Sequence, residues 1–212
     1  MNRLYQIFSF IFLVSTCIGA ESNINKTYNG FEVSSVLNEK KLRFKNLDYE
    51  LKQLDVNGIN YVKPMIKDAG SLAQPGEPLL PTVTTMYAVN PGKKMNVELI
   101  VHEKEVIQNV DILPLEGWGR NLSGNPVKGI VYSQDHLFPQ QIIKASEPII
   151  MRDLVMVQIA MTPFQYNPFS KELTIIKDAE ISLIETDSEN IPFVPRKISR
   201  EFEKLYEATV VN

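Results

Sequence analysis

The chain has 212 residues, of which 44% are hydrophobic and 22% are charged, with 10 Gly and 13 Pro. These proportions are ordinary for a globular protein and exclude a disordered or collagen-like chain. The formal net charge of −3 gives no reason to expect nucleic acid or an anionic membrane surface as a partner.

The N-terminal segment predicts export from the cell. A cationic residue, Arg3, is followed by an apolar run from Leu4 to Val14 and then by the small residues Gly19 and Ala20. This order is typical of a secretory signal peptide, and the run is shorter than the ~20 residues that span a bilayer. We therefore expect residues 1–20 to be a cleaved signal peptide. The mature chain is then secreted, periplasmic or extracellular, without membrane attachment.

The only cysteine, Cys17, lies inside this segment. Lipidation at Cys17 is the alternative to cleavage, although Thr16 is larger than the small residue that usually precedes a lipidated cysteine. After cleavage the chain has no thiol nucleophile and no thiolate metal site. With only two histidines and no phosphate-binding glycine motif, we expect no metal and no cofactor.

Most of the mature sequence predicts β-strands, because apolar and polar residues alternate in short runs separated by turn residues. Asn57-Gly58, between the runs Leu51–Val56 and Ile59–Ile66, is a strong hairpin signal. Asn167-Pro168 separates two later alternating runs, Val155–Met161 and Leu173–Leu183, and also predicts a turn. The pattern predicts an all-β fold, an antiparallel, jelly-roll-like β-sandwich over residues 21–190.

Two stretches rich in Gly and Pro predict long loops, Asp68–Pro81 and Glu116–Pro126. The second loop contains Trp118 and Arg120, flanked by glycines. Because Trp and Arg dominate binding hot spots, this loop is a candidate for contact with a partner protein. The alternative is that Trp118 folds back into the core and Arg120 is solvated.

A segment that contains the residue types of a hydrolase triad occurs at Ser133-Gln-Asp135-His136. Triad members converge in space from separate elements, which adjacent residues seldom do. We therefore interpret Ser133 and Asp135 as loop-capping or surface residues, and we expect no catalytic residue in this chain.

The tail, residues 191–212, predicts an extended linker and a short C-terminal helix. Prolines keep the linker extended, and Ser199 is a suitable N-cap for a helix with one apolar face. A basic cluster in the linker is either a proteolytic processing site or a solubility feature. The basic cluster consists of Arg196, Lys197 and Arg200. The apolar face of the helix consists of Phe202, Leu205 and Tyr206.

Several segments resemble, in order, the prodomains of gingipain-type secreted cysteine peptidases. The similarity covers roughly residues 30–212, and the run Pro163–Leu173 (PFQYNPFSKEL) carries its most specific motif. The matching segments are Gly76–Pro81 (GEPLLP) with Tyr87–Pro91, Tyr132–Pro139 (YSQDHLFP), Glu147–Asp153, Pro163–Leu173 and Phe202–Asn212.

The resemblance implies a β-sandwich prodomain that keeps a following caspase-like catalytic domain latent and aids its folding. The catalytic Cys and His would belong to that domain, which is the expected partner, in the same precursor or in trans. In arginine-specific members a prodomain loop places an Arg in the specificity pocket. Alignment of the flanking motifs brings Arg120 nearest to that position, with Lys128 as the second candidate.

Within the most specific motif, Gln165, Tyr166, Asn167 and Pro168 lie where a strand ends and a turn begins. We interpret them as fold-determining residues rather than as contacts to a partner. A second function stays open, a stand-alone secreted β-sandwich that serves as a binding or adhesion module of the cell envelope. A caspase-like domain encoded in frame after residue 212 would distinguish the two.

Overall fold

The computed structural model describes residues 27–28, 31–36, 39–45, 47–117, 125–152, 154–188 and 200–210. The expected signal peptide, residues 1–20, lies outside them. Within these ranges no helix has the length and apolar character needed to cross a membrane.

The described residues form twelve β-strands, one short 3-10 helix at Ile130–Ser133 and one α-helix. The expected all-β fold with a short C-terminal helix is confirmed. The strands are β1 (Thr27–Tyr28), β2 (Phe31–Val36), β3 (Glu39–Phe44), β4 (Glu50–Val56), β5 (Ile59–Met65), β6 (Val83–Ala88), β7 (Lys93–Ile107), β8 (Ile143–Ala145), β9 (Ile149–Met151), β10 (Leu154–Met161), β11 (Phe164–Asn167) and β12 (Glu172–Asp187), and the helix is α1 (Arg200–Thr209).

The strands form a large sheet, a small sheet and a separate hairpin, and the strand pairs in all three are antiparallel. The large sheet has the order β1-β2-β3-β12-β11, with β7 paired along the other edge of β12. The small sheet has the order β6-β10-β8, with β9 also paired to β10. Strands β4 and β5 form the hairpin.

The large and small sheets pack face to face over an apolar core, as in other β-sandwiches. The buried side chains come from both sheets and include Phe31, Phe44, Tyr87, Val157, Ile159 and Ile181. Burial of these side chains provides the main stabilisation of the sandwich, because apolar surface removed from water contributes about 25 cal/mol per Å².

Strand β12 is buried on both faces near its start. Ile175 packs in a second apolar cluster beneath the β4–β5 hairpin, whereas its neighbour Ile176 packs in the core between the sheets. The register with β7 shifts immediately afterwards, between Ile176 and Ala179. These two adjacent buried isoleucines interrupt the strict alternation of the sequence, because each faces a different cluster.

The β4–β5 hairpin forms where Asn57-Gly58 predicts it. Asn57 has φ 54° and Gly58 has φ 80°, the left-handed conformation that this turn type requires. The Gly58 amide also donates a hydrogen bond to the side chain of Asp55, at 3.0 Å.

Helix α1 contacts the turn between β9 and β10. The Arg152 guanidinium lies 3.7 Å from the ring centroid of Phe202, and the Tyr206 hydroxyl donates to the carbonyl of Met151 at 3.1 Å. These contacts use Phe202 and Tyr206 of the expected apolar face, one helical turn apart, whereas Leu205 is 43% exposed.

Candidate functional site: the stem of the partner-binding loop

The candidate partner-binding loop is described only at its ends. Residues 118–124, including Trp118 and Arg120, lie outside the described residues. The two segments that flank them, residues 110–117 and 125–132, are described in full. We call these two segments the loop stem, and they are the part of the candidate site whose geometry is defined.

Backbone hydrogen bonds attach the first stem segment to β5 and to the Gly76–Leu79 segment. The Val62 amide donates to the carbonyl of Asp111 at 2.7 Å, and the Leu79 amide donates to the carbonyl of Leu113 at 2.9 Å. The Leu115 amide in turn donates to the carbonyl of Glu77 at 2.8 Å. These hydrogen bonds hold the first stem segment in place, although it forms isolated β-bridges rather than a regular strand.

An ion-pair cluster joins the two stem segments to the turn before β12. Asp111, whose side chain is 20% exposed, accepts from the Lys128 ammonium at 3.3 Å and from the Lys171 ammonium at 2.8 Å. Lys128 also lies over the rings of Tyr61 and Tyr132, 5.3 and 5.1 Å from their centroids. The ammonium of Lys128 therefore has structural partners within the chain.

This cluster lowers the pKa of Asp111. Burial alone would raise it, but hydrogen bonds and positive charge from Lys171 and Lys128 outweigh burial and hold the pKa below its ordinary value. The folded state therefore binds a proton at Asp111 more weakly than the unfolded state. The resulting stabilisation is present above the pKa of an unfolded aspartate, about 3.9, and is lost as pH falls through the lowered pKa.

We accordingly expect Asp111→Asn to reduce the acid sensitivity of the chain. The wild type should lose free energy of unfolding below about pH 4, and the variant should lose less over the same interval. Urea unfolding at a series of pH values measures this difference. Glu116→Gln, which removes an exposed acidic group from the same stem segment, controls for net charge. Parallel pH profiles of Asp111→Asn and the wild type would contradict the assignment.

Two tyrosines, the buried Tyr166 and the partly buried Tyr132, hold the first stem segment against the apolar cluster below it. The Tyr166 hydroxyl donates to the carbonyl of Val110 at 2.9 Å, and the Tyr132 hydroxyl donates to the carbonyl of Ile112 at 2.8 Å. The two rings meet edge to face, 6.3 Å apart. Burial raises the pKa of Tyr166 to about 12 and also raises that of Tyr132, so both hydroxyls stay protonated donors.

The other residues of the Gln165–Pro168 motif also have partners within the chain. The Gln165 side-chain amide donates to the carbonyl of Pro139 at 2.9 Å. Asn167 accepts from the amide of Phe169 at 3.0 Å, and its own amide donates to Asp135 at 2.8 Å. Pro168 is buried. These contacts lie within the β11–β12 turn or join β11 to the segment between the 3-10 helix and β8.

The residues of the triad-like segment do not converge on His136. Asp135 accepts from Asn167, and the Ser133 hydroxyl donates to the carbonyl of Ile130 at 2.8 Å, within the 3-10 helix. Both side chains therefore have loop-capping partners. Among the described residues, no group of three His, Cys, Asp or Glu side chains could hold a metal ion.

The candidate processing residues lie at the edge of the described structure. Arg196 and Lys197 fall within residues 189–199, which lie outside the described residues, and Arg200 is the first residue of α1. The backbone after α1 returns to the small sheet, where Val210 is 3% exposed and bridges to Met86.

Sequence reasoning missed the ion pairs of Asp111 and the contact between Gly76 and Gly129, in which the Gly129 amide donates to the Gly76 carbonyl at 2.8 Å. Asp111 is flanked by apolar residues, and no local pattern indicates that two lysines from other segments converge on it. Gly76 opens a segment that resembles a family motif, but the contact it makes with Gly129 is not visible in the sequence.

The chain was compared with protein families and curated proteins. The family model described as Propeptide_C25 matches residues 33–203. Gingipain R2 of Porphyromonas gingivalis is 26% identical over 202 residues, covering 91% of this chain and 27% of gingipain R2. Gingipain R1 of the same organism is 29% identical over 154 residues, covering 70% of this chain and 16% of gingipain R1. The chain thus spans about a quarter or less of these relatives.

Two solved structures share the fold. A complex of the pro- and mature domains of RgpB from Porphyromonas gingivalis contains a chain that matches with a TM-score of 0.73 and 22% identity, covering 88% of this chain and 98% of that one. A structure that addresses the zymogenic latency of gingipain K from the same organism matches with a TM-score of 0.58 and 17% identity, covering 74% and 91%.

Proposed function

Because this chain belongs to the Propeptide_C25 family, we propose that it keeps a caspase-like cysteine peptidase domain latent and assists that domain's folding. The family match confirms the resemblance to gingipain-type prodomains and is the observation that carries the proposal. The fold shared with a chain of the RgpB pro- and mature-domain complex supports it. The same match favours a propeptide over a stand-alone binding module.

The proposed partner is the peptidase domain of the same precursor, acting in cis or bound in trans. The catalytic Cys and His belong to that domain in the proposal, and this chain supplies the inhibitory surface. Residues 1–20 direct export, so latency is maintained until the precursor reaches the periplasm or the exterior of the cell.

Of the two candidate anchor residues, we favour Arg120 over Lys128. Lys128 is already paired with Asp111 and packed over two tyrosine rings, so its withdrawal into a peptidase pocket would leave Asp111 with one cation fewer. Arg120 lies outside the described residues, and the alignment of the flanking motifs brings it nearest to the position of the pocket-filling Arg. Trp118 adds apolar contact area beside Arg120, as hot-spot tryptophans do.

The coding region that follows residue 212, together with the precursor's activity, tests this proposal. We expect a caspase-like domain in frame, and we expect the purified precursor to hydrolyse a reporter peptide only after processing. A precursor from which residues 21–212 have been deleted should be active at once or fail to fold. A fully active unprocessed precursor would contradict a latency function.

Limited proteolysis tests the proposed processing segment. We expect trypsin to cut at Arg196 or Lys197, or at Arg200 at the first position of α1, before it cuts within residues 40–185. The prolines of the linker favour extended backbone, and helix ends fray, so both enter a protease cleft more readily than paired strands. Mass spectrometry of the first fragments identifies the site. The triple variant Arg196→Gln, Lys197→Gln, Arg200→Gln should delay this first cut, and earlier cleavage inside the sandwich would contradict the assignment.

A further inference from the structure

Gly76 makes hydrogen bonds to both segments of the loop stem. Its amide donates to the carbonyl of Leu115 in the first segment, and its carbonyl accepts from the amide of Gly129 in the second, both at 2.8 Å. Gly76 is buried and has φ +86°, a conformation that favours glycine. One backbone unit therefore connects the two segments that flank residues 118–124.

Gly76 and Gly129 lie closer together than an ordinary Cβ contact allows on either residue. A Cβ on Gly76 would lie 3.0 Å from the Gly129 nitrogen and 3.1 Å from its Cα. A Cβ on Gly129 would lie 3.0 Å from the Gly76 oxygen and 3.2 Å from its carbonyl carbon. Since the neighbours are backbone atoms, a methyl group at either position must displace them by a few tenths of an ångström, which moves the Gly76 backbone away from the second stem segment.

Two further contacts hold the stem near the loop. At the end of the first segment, Gly117 packs against Pro75, where an added Cβ would lie 3.2 Å from the Pro75 Cβ. At the start of the second segment, the Asn125 side-chain oxygen accepts from the side-chain amide of Asn57 in the β4–β5 turn at 2.7 Å. Gly117 and Asn125 belong to the same two segments that Gly76 joins, so we expect a displacement at Gly76 or Gly129 to shift both.

We propose that Gly76 and Gly129 are positioning residues, whose side-chain-free contact sets the separation of the two stem segments and thereby presents the loop to the peptidase domain. This inference rests on the proposed function only for the contact between the loop and the peptidase domain. It also gives a physical role to Gly76 in the Gly76–Pro81 segment, since any other residue there would meet both the φ restriction and the contact with Gly129.

Gly129→Ala is the decisive variant, because Gly129 has φ −77°, which alanine adopts without strain. Its matched control is Gly70→Ala, where an added Cβ meets nothing within 4 Å and φ is not in the left-handed range. In Gly76→Ala, the added methyl group both meets Gly129 and strains the backbone, because φ is +86° at this residue. Its control is Gly92→Ala, with φ +77° and nothing within 4 Å.

Two measurements on the mature chain separate the inference from the proposed function. Trp118, the only tryptophan, follows Gly117 directly, so acrylamide quenching of its fluorescence reports on the loop. The second readout is inhibition of the precursor's peptidase domain, recorded below the melting temperature of each variant. We expect Gly129→Ala to change the quenching constant and to weaken inhibition roughly tenfold or more, while Gly70→Ala changes neither.

Unchanged quenching and unchanged inhibition in a folded Gly129→Ala chain would overturn the proposal. If the wild type does not inhibit but Gly129→Ala alters the quenching, the latency function fails and the positioning role stands. If Gly129→Ala does not fold, Asn57→Gly decides, because it removes the bond to Asn125 and tolerates the φ of that turn. Quenching like that of the wild type in Asn57→Gly would then count against the stem as the positioning element.

Discussion

Truncation of Arg120 to alanine should weaken inhibition of the proposed peptidase partner by about 30-fold to several thousand-fold. A guanidinium pairs with a pocket carboxylate through two parallel hydrogen bonds. Its removal leaves that carboxylate buried and unpaired, a loss of about 2–5 kcal/mol at such sites, which converts to this range of affinity. Inhibition constants for residues 21–212, wild type and variant, measure the effect.

Lys128→Ala is the matched control for Arg120→Ala, since Lys128 is the other candidate anchor. Because its ammonium pairs with Asp111 in the stem, we expect this variant to inhibit much more strongly than Arg120→Ala. If Lys128→Ala instead loses inhibition while Arg120→Ala retains it, Lys128 is the anchor and the peptidase prefers lysine. If neither variant changes the inhibition constant, the anchor model is wrong.

The second large effect is expected for stability, at Tyr166. This side chain is 0% exposed and its hydroxyl bonds to the Val110 carbonyl. Tyr166→Ala should lower the free energy of unfolding by about 3–5 kcal/mol, through lost burial and the cavity left behind. Tyr166→Phe, which leaves the carbonyl without its donor, should cost about 1–3 kcal/mol.

Urea unfolding measures both Tyr166 variants against a control from the β11–β12 turn, which directly follows the strand that contains Tyr166. Phe169 is 69% exposed, so Phe169→Ala should stay within about 0.5 kcal/mol of the wild type. A Tyr166→Ala chain that unfolds at the same urea concentration as the wild type would refute the proposal that the Gln165–Pro168 motif determines the fold.

The sequence predicts those parts of the fold that depend on neighbouring residues. Alternation of apolar and polar residues is a local pattern, as is the Asn57-Gly58 turn. The alternation is realised in β6, where every second side chain is buried, and the turn is realised between β4 and β5. The alternation does not predict that Ile175 and Ile176 are both buried, because that depends on two separate apolar clusters on opposite faces of β12.

The candidate site is less predictable because its contacts join residues far apart in the chain. Asp111 is 17 residues from Lys128 and 60 from Lys171, and periodicity carries no information about such pairs. The contact of Gly76 with Gly129 depends in the same way on the path of two separate segments. Family resemblance indicated where a partner loop belongs, whereas the stem that carries it emerges only from the fold.

Stability and proposed function meet in the loop stem. Tyr166 and Tyr132 fix its first segment from below, Asp111 joins it to Lys128 and Lys171, and Gly76 holds the second segment close. A stem fixed in this way presents a loop with little loss of conformational entropy on binding, which is the main route by which preorganised binders gain affinity.

Titration of the proposed cognate peptidase domain with residues 21–212, followed by hydrolysis of a reporter peptide, tests the central claim most directly. A latency-maintaining propeptide should inhibit that domain in trans, with a dissociation constant of about 1 μM or tighter. Inhibition should be lost when the chain is unfolded beforehand. A folded chain that leaves the peptidase fully active at saturating concentration would contradict the account.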